Sequence, residues 1–157
     1  MSAAISIENG EMALLCFPYD GEFKNCEVFN STTSKPSFAT RYRHRGGKLG
    51  NYRGKPTTVG SSEGNEKNKV ETLTSSGWIT LIDFPKRYSK NHVIFYFFRE
   101  ISYHVLMGLP SGSLLLAGGY DENDERQRAI WLLENDIWEP IGDLEYVNLK
   151  NRNKYLI

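Results

Sequence analysis

The chain has 157 residues, the length of one ordinary domain, and its 19 basic and 19 acidic side chains leave no net charge. That balance excludes a global pull toward nucleic acid or an anionic membrane surface, and no apolar run approaches the roughly 18 residues of a membrane span. With 13% aromatic residues and 14 glycines, the composition fits an all-β chain with many tight turns.

In chain order, Ile5 to Ile7 reads as an entering strand and Glu8-Asn9-Gly10 as a turn. Met12 to Phe17 reads as a second strand, Cys26 to Asn30 as a third and Phe38 to Tyr42 as a fourth. A symmetric hairpin that pairs Cys16 with Cys26 also pairs Leu14 with Val28. A cross-strand disulfide is then open to this pair and would imply an oxidising compartment. The alternative is two buried thiols acting as small apolar residues. Asn30-Ser31-Thr32 is an N-glycosylation sequon placed in a turn, which matters only for a secreted chain. Arg41, Arg43 and Arg45 alternate with Tyr42 and His44, so a strand here puts three arginines on one face. Together with Tyr52, Arg53 and Lys55 they make a basic, aromatic stretch suited to a heparin-like or RNA polyanion.

A second unit follows. Leu49 to Tyr52 enters, Pro56 to Gly60 is the second strand, Ser61 to Asn68 is a polar loop, Lys69 to Thr74 is third and Trp78 to Ile82 fourth. Ser76-Gly77 supplies the last turn. Residues 86–102 do not fit the unit. They carry the apolar run Val93 to Phe98, which reads either as an insertion, a translated intron included, or as a long edge strand.

The third unit is the clearest. Leu114 to Ala117 is an apolar run ending in Gly118-Gly119, and a charged loop follows. A second apolar run carries Trp131, and Trp138 comes after Glu134-Asn135-Asp136. The same order recurs upstream at spacings of 58 and 44 residues. Gly10, Gly54 and Gly112 fall at equivalent turns; Phe29, Leu73 and Trp131 fall on equivalent strands; Phe38, Trp78 and Trp138 fall on the next.

The Gly doublet, Trp131 on the following strand and Trp138 beyond its turn resemble a kelch repeat, one blade of a β-propeller. The resemblance implies an all-β fold, an incomplete kelch-type propeller of about three four-stranded antiparallel blades. These fall near 5–45, 46–85 and 103–143, and 144–157 starts a fourth. Three blades leave two open sides, with seam aromatics such as Trp78 and Trp131 poorly covered. Further blades are therefore expected from a longer chain or by association.

The resemblance also implies a non-enzymatic module that binds a protein partner through loops between second and third strands. The candidate contacts are Tyr19, Asp20 and Glu22 in the first loop, Glu63, Asn65 and Lys67 in the second, and Tyr120, Asp121, Asp124 and Arg126 in the third. Some copper oxidases carry a kelch propeller, but their paired Tyr and His ligands have no counterpart pattern here. No catalytic, cofactor or metal residue is assigned. The acidic run Asp121 to Glu125 has Arg126 where a calcium loop needs Gly and Leu132 where it needs Glu, so it reads as a solvated loop. His44, His92 and His104 lack metal-ligand spacing, and surface or packing roles are expected. The first residues show no secretory leader, which points to the cytosol for a complete chain and to an extracellular protein for a piece lacking its leader.

Overall fold

The computed structural model describes residues 2–19, 22–62, 67–85, 101–120 and 126–145. Its strands form three four-stranded antiparallel sheets, each a simple meander in chain order. Sheet I holds β1 (Ala3–Ile7), β2 (Met12–Cys16), β3 (Cys26–Phe29) and β4 (Ser34–Pro36). Sheet II holds β5 (Lys48–Tyr52), β6 (Lys55–Val59), β7 (Val70–Thr74) and β8 (Gly77–Thr80). Sheet III holds β9 (Val105–Gly108), β10 (Leu114–Ala117), β11 (Ala129–Glu134) and β12 (Ile137–Asp143). The chain is thus all-β, built of three blade-like units.

Side chains alternate across each sheet, and that alternation decides how the units stack. On β10, Leu114 and Leu116 are fully buried and share a face with Leu106, Trp131, Leu133 and Trp138. This face packs on Tyr52, Val59 and Val70 of sheet II as one core. A second core joins Ala3, Leu14, Cys16 and Cys26 of sheet I to Leu49, Leu73 and Trp78 of sheet II. Sheet II is therefore the middle layer. Burying one large apolar side chain is worth about 1.5–3 kcal/mol, so each seam has ample drive to close.

The first strands of the units stand side by side, β5 between β1 and β9. Their closest approach rests on glycine. A Cβ on Gly50 would lie 2.7 Å from the Leu114 Cδ1, and one on Gly108 would collide with the Asn51 carbonyl oxygen. Phe84, just past β8, fills the outer part of the second seam. Its ring meets Trp131 at 5.3 Å and Trp138 at 5.1 Å, both edge-on. At the far end of that seam the Tyr52 hydroxyl donates to Asp136 Oδ1 at 3.0 Å, while the Asp136 amide donates back to the same hydroxyl.

Several expectations change. The fourth strand of sheet I is Ser34–Pro36, not Phe38 to Tyr42. The turn after β3 closes early, because Asn30 N–H bonds Thr33 O and the Asn30 side chain gathers the Thr32 and Thr33 donors. The amides of Arg41 and Tyr42, needed for a ladder, go instead to a carboxylate of sheet II. Arg41, Arg43 and Arg45 therefore ride a loop and share no strand face. Trp131 is buried and Trp78 half-buried, since both face the inner seams rather than an open side. Uncovered apolar side chains occur on all three sheets, Phe29 and Ile79 among them, and on the other face of sheet III Val105 is 60% and Met107 49% exposed. The run Val93 to Phe98, most of the 86–102 segment and the fourth-unit start at 146–157 lie outside the described residues.

Candidate functional site

The first strands run in the same direction. Gly46 before β5 bonds Tyr103 before β9, and Arg53 after β5 bonds Gly112 after β9. Consequently the β2–β3, β6–β7 and β10–β11 loops emerge at one end, with the linkers between sheets among them. The tight turns occupy the other end.

This loop end is built on a buried ionic knot. Glu71 on β7 is fully buried. Its Oε1 accepts the Arg41 amide at 2.9 Å. Its Oε2 accepts the Tyr42 amide at 3.0 Å and His44 Nε2 at 2.9 Å. His44 Nδ1 lies 2.8 Å from the Gly60 carbonyl oxygen. A carboxylate and a carbonyl both accept, so the ring donates from both nitrogens. Burial alone pushes the Glu71 carboxyl up. The bonds from His44, Tyr42 and Arg41 outweigh that and hold it below its ordinary value. Both side chains are sealed from solvent, so the pair positions the chain and offers no surface to a substrate.

The knot fixes the linker from β4 to β5. Thr40 N–H and His44 N–H bond the Lys24 and Phe23 carbonyls of the β2–β3 loop. The Thr40 hydroxyl donates to Tyr42 O at 2.8 Å. Ser62 N–H then reaches Arg45 O, and Tyr103 N–H reaches Gly46 O. Backbone bonds thus tie three loops into a platform. At its base Cys16 and Cys26 face each other in register, bonded as a disulfide with Cα atoms 4.1 Å apart. The Leu14–Val28 pair sits beside it, as the sequence predicts.

On this platform Tyr19 is 79% exposed, its ring edge-on to Phe23. Glu22 is exposed, Lys67 half-buried and Arg126 exposed. Tyr120 is half-buried, edge-on to Tyr103, and bridges both Ser102 and Arg126. Asp20, Glu63, Asn65, Asp121 and Asp124 lie outside the described residues. Arg41 and Arg43 are exposed on the same end, and Arg45 stands 5.4 Å from the Phe23 ring centre. Arg53 does not join them. It lies one strand length away and pairs with Asp136 at 3.2 Å. Gly118 and Gly119 follow β10 with φ of 66° and 102°. A Cβ on Gly119 would press within 2.7 Å of the Ser102 carbonyl oxygen.

Glu71 has no place among the sequence candidates, and His104 takes the packing role rather than the surface one. Glu71 lies on a strand of mixed polarity, Val70–Thr74, and no local pattern marks it as buried. His104 is fully buried, and neither ring nitrogen has a hydrogen-bond partner among the described residues. Burial first, then the positive charges of Lys48 and His44, push its pKa down to about 3. Among the described residues no group of three or more His, Cys, Asp or Glu side chains is placed to hold a metal. No described helix is long and apolar enough to cross a membrane.

Fold and site together define a class: an all-β chain of blade-like meanders presenting loops from one end. Comparison with protein-family models and with curated proteins finds no match.

Proposed function

We propose that the chain is a non-enzymatic protein-interaction module of kelch-type propeller design, binding a protein partner through its loop end. The observation that carries this is the contrast within that end. Tyr19, a large amphipathic side chain, stands 79% exposed on loops otherwise pinned by buried hydrogen bonds. Exposed aromatics on a rigid base are the usual anchors of protein interfaces, because little ordering entropy is lost on binding. Further blades, from a longer chain or by association, complete the ring beside the uncovered face of sheet III. The alternative polyanion surface keeps Arg41, Arg43 and Arg45 at this end but loses Arg53 to the other.

Photo-crosslinking side chains placed at Tyr19 and Lys67, against Lys35 and Ser76 at the turn end, test the reading. Adducts to one defined protein from the loop-end probes, competed by untagged chain, are the expected result. Equal capture from both ends overturns it. Capture of RNA or a sulfated glycan from the loop end, lost on changing the three arginines to Ser, installs the alternative.

A further inference from the structure

We propose that Asn30 carries an N-linked oligosaccharide, and that this glycan shields the free edge of sheet I. Asn30-Ser31-Thr32 is the only Asn-x-Ser/Thr sequence in the chain. It sits in the β3–β4 turn, and every residue from Phe29 to Pro36 is exposed. The side chain is already in the arrangement the chemistry uses. Asn30 Oδ1 accepts the Thr32 hydroxyl at 3.2 Å, the Thr33 hydroxyl at 3.0 Å and the Thr33 amide at 3.0 Å. The Thr32 amide points to the same oxygen at 3.4 Å. Oδ1 is engaged by the protein, Nδ2 makes no hydrogen bond among the described residues, and the residue is exposed.

The donor class is an oligosaccharide on a lipid diphosphate. The sugar C1–O bond to the diphosphate breaks and a C1–Nδ2 bond forms. Nδ2 gives up one proton, and the lipid diphosphate leaves with the bonding pair. No oxidation or reduction occurs. A second observation points to the same compartment. The chain has two cysteines, both joined in one cross-strand disulfide, and disulfides persist where secreted chains are made and glycosylated.

The placement also answers a structural need. β4 is the last strand of sheet I, only three residues long and exposed throughout. Its outer ladder groups offer a pairing edge, and Phe29 beside it is 38% exposed. The shortness of β4, with Lys35 and Pro36, already blunts that edge, and a glycan rooted at Asn30 adds a bulky polar cover.

The test is made on the full chain isolated from its own cells, and in parallel on the chain secreted from eukaryotic culture. Mass spectrometry of the peptide spanning Glu27 to Lys35 should show a hexosamine-bearing Asn30. Enzymatic release should leave the bare peptide with Asn30 converted to Asp, which is the mark of a former glycan. Asn30→Gln and Thr32→Ala should abolish the heavier form, whereas Thr32→Ser should retain it. The secreted Asn30→Gln chain, its disulfide intact, should aggregate severalfold faster than the glycosylated one. A bare Asn30 in the cell-derived protein overturns the site. Equal aggregation of the two secreted forms overturns the shielding role.

Discussion

Glu71 and His44 meet 2.9 Å apart with both side chains fully buried, although they belong to different sheets' worth of chain and are separated by the whole of β5 and β6. The pair joins the linker leaving sheet I to the third strand of sheet II. Removing one partner of such a buried pair strands the other, which costs about 3–5 kcal/mol. Glu71→Gln and His44→Phe are each expected to lose stability on that scale in urea unfolding. The double variant should lose less than the sum. The pH sign follows from Glu71 lying below its ordinary value of 4.5. Its contribution is complete above that value and is lost as pH falls through the lower, folded one. Additive single losses in the cycle would sink the coupling.

His104 carries the opposite chemistry, a buried imidazole that must stay neutral. Its folded pKa of about 3 lies below the ordinary 6.5. Above pH 6.5 its neutral form costs nothing in proton terms. As pH falls from 6.5 toward 3 the unfolded chain takes up a proton that the fold refuses. Stability then drops by about 1.4 kcal/mol per pH unit. His104→Leu should flatten that slope. At pH 7 it should also stabilise by about 1 kcal/mol or more, since two unpaired buried nitrogens disappear. An unchanged slope between pH 6 and 4 would refute this account.

Three glycines separate backbone strain from collision. Gly54 has φ of 74° and open space around its missing Cβ. Gly54→Ala should cost only the conformational penalty, about 1 kcal/mol. Gly60 has the same φ, but a Cβ there would run into the Ile101 carbonyl. Gly119 would meet Ser102 and His104. Gly60→Ala and Gly119→Ala should therefore cost clearly more than Gly54→Ala in thermal melts. Equal costs would mean that the linker before β9 yields freely.

Reduction of the Cys16–Cys26 bond opens a loop of sequence separation 10. Loops of this size are worth about 2–3 kcal/mol when closed. The Cys16→Ala/Cys26→Ala chain should lose about that much in chemical denaturation. Hydrogen exchange should speed up mainly in β2, β3 and the 17–25 loop. Uniform acceleration across all three sheets would argue against a local role.

The uncovered face of sheet III makes a prediction about association. Val105 and Met107 are neighbours on it and largely exposed. The 157-residue chain should self-associate with rising concentration in light scattering, and Val105→Lys with Met107→Lys should shift it toward monomer. No concentration dependence in the parent chain would remove the need for further blades.

Much of the strand order was legible because the alternation and the turns are local. The pairing of Cys16 with Cys26 and Leu14 with Val28 follows from hairpin symmetry alone. The recurrence of Leu73 and Trp131, and of Trp78 and Trp138, marked the strands that face the inner seams. What stayed hidden was long-range. Nothing near Arg41 announces that Glu71, thirty residues on, takes its amide and turns a plausible strand into a loop. The burial of His104 likewise depends on distant chain, with Lys48 and His44 close enough to act on its charge. Phe84 lies past the last strand of its unit, and only its meeting with Trp131 and Trp138 across the seam gives it a place.

Gly50 and Gly108 set a limit on shape. Where β5 and β9 touch, each sheet offers only hydrogen in place of a side chain, so the two lie together like leaves at a spine. The wedge they enclose is narrow at that hinge line and wide at Phe84, where three aromatic rings fill it. A methyl group at either glycine would thicken the narrow side alone. It would change the angle at which sheet III leans on sheet II.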